Sequence, residues 1–229
     1  MSLEAWYPLL VAASIPVPAT EIVQAPFDLT PLLDGEEPEG WTIFVAELEA
    51  AARRIGYPVF LRTGHGSGKH EFVWTCFVPE AAALANHVAA LVEWSALVDF
   101  LGLPTDVWAV REMLPVESTF TAFRGFPVSR ERRYFIRDGR VIGHHPYWPP
   151  AAIEDPSVQD WRPRLDALNT ETPEEIAVLT DLSKRVGAAI PGAWSVDWLW
   201  SPGRGWICID MAWAERSFVW ADYPSAPAP

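Results

Sequence analysis

Apolar and polar residues alternate with two different periods along the chain, and the period marks the elements. Residues 14 to 39 are proline- and acid-rich and read as a short strand followed by an irregular connection. In "GWTIFVAELEAAARRIG" the apolar positions Ile43, Leu48, Ala51, Ala52 and Ile55 predict a helix, with Gly56 and Pro58 as its stop signal. "PVFLRT" then predicts a strand, "GHGSGK" a loop and "HEFVWTCFV" a return strand. Pro79 and Glu80 open a second helix whose buried face is Leu84, Val88, Leu91 and Val92.

"VWAVREML" predicts a further strand, and "ERRYFIRDGRVIGHH" a hairpin turning at Asp138-Gly139. Thr172, Pro173 and Glu175 form a capping box for a helix running to about Gly187. A final hairpin, "AWSVDWLWSPGRGWICIDMAW", closes the folded part, leaving "YPSAPAP" as a frayed tail. Mixed strands and helices with several antiparallel hairpins make the class α+β. The expected division is a leading segment 1–55, a small lobe 56–110, a large lobe 111–222 and a tail 223–229.

Composition narrows what these elements do. Half of the 229 residues are apolar and 13 are tryptophan, enough for a sizeable core, while a net charge of -13 argues against binding a nucleic-acid backbone. Cys76 and Cys208 lie far apart in apolar runs and read as small hydrophobes in a reducing compartment. The opening residues carry no basic leader and no stretch is long enough for a membrane span, so a cytoplasmic location is expected. Only two lysines stand against fifteen arginines, which draws attention to Lys69 at the end of the glycine loop.

That loop is neither a Walker A loop nor a serine-hydrolase elbow. The first needs glycine at position 63 and serine or threonine at position 70, where Thr63 and His70 stand; the second needs glycines where His65 and Lys69 flank Ser67. Two readings stay open: a loop whose bare amides wrap an anion between Arg62 and Lys69, and a solvated hairpin tip.

In the last hairpin, a four-residue loop Pro202–Gly205 sets Asp197 opposite Asp210. Val196, Trp198, Trp200, Ile207, Ile209, Met211 and Trp213 then share the core face, and Ser195, Asp197, Leu199, Cys208, Asp210 and Ala212 the other. Two aspartates with Cβ atoms about 5 Å apart repel unless something positive sits between them; a divalent cation answers this, and the alternative is that one Asp faces solvent or pairs with an arginine. Mg²⁺ carried by a nucleotide takes one or two carboxylates and completes its shell with phosphate and water. In the middle hairpin Glu131, Arg133 and Phe135 share a face with Ile142 and His144. It is a cleft wall or an exposed ribbon laced by Arg130, Arg132 and Arg137. His144 and His145 point to opposite faces and cannot readily share a metal.

In this order the pieces resemble the ATP-grasp superfamily over residues 14 to 220. "IPVPATEIV" resembles its lead-in strand, "PVFLRTGHGSGKHEF" its phosphate-gripping strands and flexible loop, and "WAVREMLP" its hinge. "ERRYFIRDGRVIG" resembles its ribose-side strand, and "VDWLW…GWICIDMAWAERS" its metal-bearing terminal strands. Glu131, Arg133 and Phe135 also resemble the "E-x-R-x-F" strand of the cell-division-cycle protein 123 family.

The resemblance implies two lobes with antiparallel sheets gripping ATP. Arg62 and Lys69 would lie on the phosphates, Glu112, Met113 and Leu114 along the adenine, Glu131 at the ribose and Asp197 and Asp210 on Mg²⁺. It implies an ATP-dependent ligase with Arg62, Lys69 and Arg133 as catalytic cations, acting on a carboxylate-bearing small molecule or peptide. The alternatives are a nucleotide-binding assembly factor with a protein partner, and kinase-type transfer. Ala212 stands where the superfamily commonly has Asn, which fits a weakened metal site.

Overall fold

In the computed structural model, which describes residues 1–98 and 102–226, the chain forms two four-stranded antiparallel sheets and a small hairpin. The first sheet has the order β1-β4-β2-β3, from β1 (Thr20–Gln24), β2 (Val59–Thr63), β3 (Phe77–Val78) and β4 (Val107–Glu112). Helices α2 (Trp41–Ile55) and α3 (Leu84–Leu97) cover it. The stretch Thr20–Ile55 thus belongs to the sheet and core of the small lobe, which extends well before residue 56.

The inner face of α2 is Trp41, Phe44, Leu48, Ala51 and Ala52. Ile43 is 69% exposed, because it lies five residues before Leu48, whereas Phe44 and Trp41 precede it by four and seven and so share its stripe. The face expected for α3 is buried as read: Leu84, Val88, Leu91 and Val92.

The second sheet has the order β10-β9-β7-β8, from β7 (Glu131–Arg137), β8 (Arg140–Pro146), β9 (Ala193–Ser201) and β10 (Gly205–Trp213). On its back lie α5 (Pro173–Ala189) and α1 (Leu3–Ala12), the latter a helix the sequence reading passed over. The hairpin of β5 (Ser118–Ala122) and β6 (Phe126–Ser129) packs with α4 (Trp161–Asn169) around Trp148, all three elements likewise unforeseen.

Three expected local structures are corrected. Residues 70 to 76 are not a strand: a 3₁₀ turn spans Lys69–Glu71 and only Phe77–Val78 pairs with β2. Thr75 Oγ1 donates to the Gly68 carbonyl at 2.8 Å and the Glu71 amide to the same carbonyl, so this segment winds into turns despite its β-formers, with Trp74 65% exposed.

The capping box is half made. Thr172 Oγ1 accepts from the Glu175 amide at 3.2 Å, but the Glu175 carboxylate goes to buried Arg132, as does Glu171. Arg132 is therefore interior, which removes the reading of an exposed ribbon. The tail is not frayed from residue 223: the Ser225 carbonyl accepts from the His144 amide at 2.7 Å and Tyr223 Oη donates to Glu171 at 2.8 Å.

The sheets meet along β10. Glu112 pairs with Arg204 at 2.7 Å, the Cys208 amide donates to the Pro16 carbonyl at 2.8 Å, and Arg111 Nη1 donates to the Ile209 carbonyl at 2.7 Å. The edge strand of one lobe is thereby covered by the other, and a cleft is left between them.

Candidate functional site

A cleft lies between the sheets. Its lining is mainly of two kinds: apolar residues including Phe60, Met113, Leu114, Val116, Leu199 and Ile209, and charged ones, Arg62, Lys69, Arg111, Glu112, Glu131, Asp197 and Asp210. Eight of the nine residues singled out in the sequence line it; the ninth, Arg133, is paired with Asp197 at its wall.

Asp197 does stand opposite Asp210, but by a different register from the one expected. Gly205, not Trp206, pairs with Ser201, leaving a three-residue loop with Gly203 and Gly205 at positive φ (79° and 82°). That one-residue slip turns Trp206 and Cys208 into the core and Ile207 to the face of Leu199. A bulge at Ile209 cancels the slip, so Ile209 and Asp210 both line the cleft.

A second bulge, between Phe135 and Ile136, sets His145 rather than His144 opposite Arg133. His144 instead stacks on Tyr134, with centroids 4.8 Å apart, and meets Glu171 on the back of the sheet.

The two aspartates are answered by arginines. Arg133 from β7 holds Asp197 bidentately at 2.7 and 2.8 Å, with both side chains nearly buried. Burial opposes the Arg133 charge, but Asp197 outweighs it and raises its pKa. Arg62 from β2 reaches Asp210 Oδ1 at 3.0 Å. Burial also works against the Asp210 carboxylate, yet Arg62 and Arg111 hold its pKa below the ordinary value.

Arg111 from β4 is buried, with Nη2 lacking a partner; burial and neighbouring Arg62 push its pKa down to about 10. Sequence reading missed this residue, although an arginine inside the apolar run "VWAVRE" is the signal that it serves a site.

The glycine loop is tighter than expected. The amides of His65 and Gly66 are taken by Thr63 Oγ1, and that of Gly64 by the Val107 carbonyl. A Cβ on Gly66 would come within 2.6 Å of Trp94. Neither the solvated tip nor a nest of bare amides at residues 64 to 66 describes it; Ser67 and Lys69 are what it turns toward the cleft.

Lys69 Nζ lies 4.0 Å from the Tyr147 ring centroid, 4.5 Å from that of Trp148 and 5.6 Å from that of Phe126. Burial opposes its charge, but Tyr147 and Glu131 more than compensate and its pKa is raised. Glu131 Oε1 accepts from Ser129 Oγ at 3.1 Å and Trp148 Nε1 at 3.0 Å, while its buried Oε2 has no hydrogen bond. Burial raises the pKa of this carboxyl against the pull of Lys69. Tyr147, Trp148 and Phe126 gave no signal of their own among so many aromatics.

With Glu112 taken by Arg204, the site gathers four cations, Arg62, Lys69, Arg111 and Arg133, against the three remaining carboxylates, Glu131, Asp197 and Asp210, in a protein of formal charge -13. Unpartnered Arg111 Nη2 suits a phosphate oxygen. For a divalent ion the fit is conditional. Among the described residues no group of three or more acidic, histidine or cysteine side chains forms a cage. Asp197 and Asp210 fit a nucleotide-borne Mg²⁺ if the phosphates take over their arginines. Glu112 is tied to the Ala19 amide and Arg204, so its place at the hinge is structural as well. Cys76 and Cys208 are free and buried, the Cys76 thiol pushed up to about 12 by burial. No helix among the described residues is long and apolar enough to cross a membrane.

No protein-family model matches the chain, and no curated protein does. Solved structures do. Cdc123 from Schizosaccharomyces pombe is matched with a TM-score of 0.57 at 14% identity, over 93% of this chain and 82% of that one. A RimK-domain ATP-grasp protein from Sphaerobacter thermophilus gives 0.52 at 18% identity, over 93% and 59%. D-alanine–D-alanine ligase from Bacillus anthracis, complexed with ATP, gives 0.53 at 12% identity, over 93% and 54%. The chain therefore spans between half and three fifths of these two bacterial proteins. The arrangement of two antiparallel sheets, shared with these structures across nearly the whole chain, is the ATP-grasp fold.

Proposed function

We propose that the cleft binds ATP and that the chain is an ATP-dependent ligase, joining a substrate carboxylate to an amine or thiol. The observation that carries this is the convergence of Arg62, Lys69, Arg111 and Arg133 on one cleft that also has an apolar wall. With Glu112 paired to Arg204, four cations exceed what the other three carboxylates need, and the surplus suits a polyphosphate. The base lies against Phe60, Leu114, Leu199 and Ile209, and the backbone after β4 passes beside it.

Arg62 and Arg133 exchange carboxylate for phosphate, and Arg111 Nη2 gains the acceptor it lacks. Mg²⁺, when bound, supplies charge neutralisation of the phosphates, with Asp197 and Asp210 as its protein ligands. The substrate carboxylate oxygen attacks the γ-phosphorus and ADP leaves with the bridging oxygen. The nucleophile then attacks the acyl carbon and phosphate departs with the carboxylate oxygen. The arginines and Lys69 orient the transferring group and spread its charge, and no side chain of the protein needs to form a covalent bond.

A second reading, a nucleotide-binding assembly factor, draws support from Ala212 in place of the usual Asn and from the longer match to Cdc123. Calorimetric titration with ATP and ADP, with and without Mg²⁺, tests the shared part; absence of binding to wild-type protein refutes both readings. Steady ADP release on adding carboxylate and amine together supports the ligase. Tight binding with no turnover over a broad substrate panel supports the assembly factor.

A further inference from the structure

Lys69 sits in a cage that does not depend on it. Its ammonium is surrounded by the rings of Phe126, Tyr147 and Trp148, and 4.0 Å away lies Glu131 Oε2. The walls come from β6, from the segment after β8 and from the start of β7, whereas Lys69 arrives from the small lobe. The walls also brace one another: Trp148 packs edge-on to Tyr147 at 4.7 Å, against Phe126 at 5.6 Å, and donates its indole N–H to Glu131 Oε1 at 3.0 Å. Aromatic faces around a carboxylate are a receptor for an organic cation.

Lys69 fills this receptor incompletely. At 4.0 Å it makes no hydrogen bond to Glu131, whose Oε2 is left without a donor although the residue is 99% buried, at 1% exposure. A free ammonium, not tethered to the glycine loop, can approach to the ordinary charge-assisted distance of about 2.8 Å.

We propose that the cage is a binding site for the alkylammonium group of a second ligand, and that Lys69 occupies it only until nucleotide draws that side chain to the phosphates. The proposal rests on the ATP reading for the displacement of Lys69, since a triphosphate in the same cleft outweighs one carboxylate as a partner. The cage itself rests on the rings and the unpaired oxygen, and it gives Glu131 to the ammonium in place of the ribose contact that the resemblance implies. It assigns the second ligand's chemical class: a positively charged primary or methylated amine on an aliphatic stem.

The test is calorimetric titration with n-butylammonium and, as its uncharged counterpart, n-butanol. Wild-type protein saturated with Mg²⁺ and a non-hydrolysable ATP analogue is expected to prefer the cation by about tenfold or more, and nucleotide-free protein to show no preference. Lys69→Ala is expected to prefer the cation with or without nucleotide, and Tyr147→Leu or Phe126→Leu in that background to weaken it about tenfold.

Lack of preference in Lys69→Ala overturns the proposal. So does its lack in nucleotide-loaded wild-type protein, even where Lys69→Ala binds, because the cage would then be only the resting place of the lysine. If wild-type protein binds no nucleotide, the ATP reading fails by itself. Cation preference in Lys69→Ala then supports the cage, and its absence refutes it.

Discussion

Replacing Asp197 with Asn keeps the size of the side chain and removes one half of the Arg133 pair. The pair is bidentate, at 2.7 and 2.8 Å, with side chains only 13% and 7% exposed. Breaking such a pair from one side leaves a buried guanidinium uncompensated and costs about 3–5 kcal/mol. The asparagine oxygen still accepts one hydrogen bond, so the lower end, about 3 kcal/mol, is expected. For a domain of this size that lowers the unfolding midpoint by about 6–12 °C.

The same loss should improve metal-free nucleotide binding. On the proposed ATP reading, the phosphates displace Asp197 from Arg133 in wild-type protein, and the released carboxylate calls for Mg²⁺. In Asp197→Asn the guanidinium waits for an anion, and recovering even half of the lost 3 kcal/mol is about a tenfold gain in affinity. ADP titrated in chelator should thus bind Asp197→Asn about tenfold tighter than wild type, while adding Mg²⁺ helps the variant far less. A destabilised but folded variant that binds metal-free ADP no better than wild type refutes the exchange of partners at Arg133.

Arg111→Met removes the cation with the unpaired Nη2 and is expected to weaken ADP binding about tenfold and, because the Ile209 carbonyl loses its donor at a cost of about 1–3 kcal/mol, to lower the thermal midpoint by several degrees. Gly187→Ala places a methyl 2.8 Å from Gly139 Cα and Ile136 Cγ2. The clash, about 1–3 kcal/mol, should exceed the helix-propensity gain of about 1 kcal/mol, so urea unfolding should show net destabilisation. His145 donates from Nδ1 to the Pro146 carbonyl and accepts from the Trp220 amide at Nε2, so the docked C-terminal segment needs it neutral. Burial first, then Arg133, depresses its pKa below 6.5, although hydrogen bonds to Pro146 and Phe218 and the charge of Asp197 pull the other way. The unfolded chain therefore takes up the proton first: this contribution is intact above pH 6.5 and fades as pH falls through the lower folded value. Amide exchange at Trp220 should accelerate over that interval, beyond the intrinsic pH dependence, and His145→Gln should remove the step.

The hinge strand, the helix faces and the hairpin at Asp138-Gly139 were legible because each is specified within a few residues. Leu84, Val88, Leu91 and Val92 repeat at the helical period, and Asp-Gly supplies the positive φ that both turn positions adopt, 50° and 74°. Bulges are different. Nothing in "WICIDMAW" marks Ile209 as the extra residue, since an isoleucine suits either face; its placement follows from the fit of β10 between β9 and the small lobe. Two errors of one residue, in the loop and at the bulge, cancelled at Asp210, so the facing aspartates were right while Cys208 and Ile207 were assigned to the wrong faces. The run after Lys69 failed for the opposite reason: its residues had the propensity for a strand, but Thr75 and the Glu71 amide are committed to the Gly68 carbonyl, which winds the segment into turns before it reaches β2.

The partners of the site residues were the least legible, and they bear most on function. Sequence spacing posed two carboxylates in need of a positive charge and favoured a metal, with solvent or an arginine as the other answer. The fold supplies both Arg62 and Arg133, from strands 71 residues apart in the chain, because β2 and β7 face one another across the cleft. That does not close the question in favour of arginine. A guanidinium held by a carboxylate is also one held ready for a phosphate, and a carboxylate held by a guanidinium is one kept ionised for a cation. Asp210 shows the second half of this: burial alone would favour its neutral form, and Arg62 and Arg111 keep its pKa low. The resting ion pairs therefore preserve the charged states that a metal-bound triphosphate requires, at the cost that free phosphate or free metal must each break a buried pair to enter. Such a site should prefer the metal and nucleotide together over either one alone.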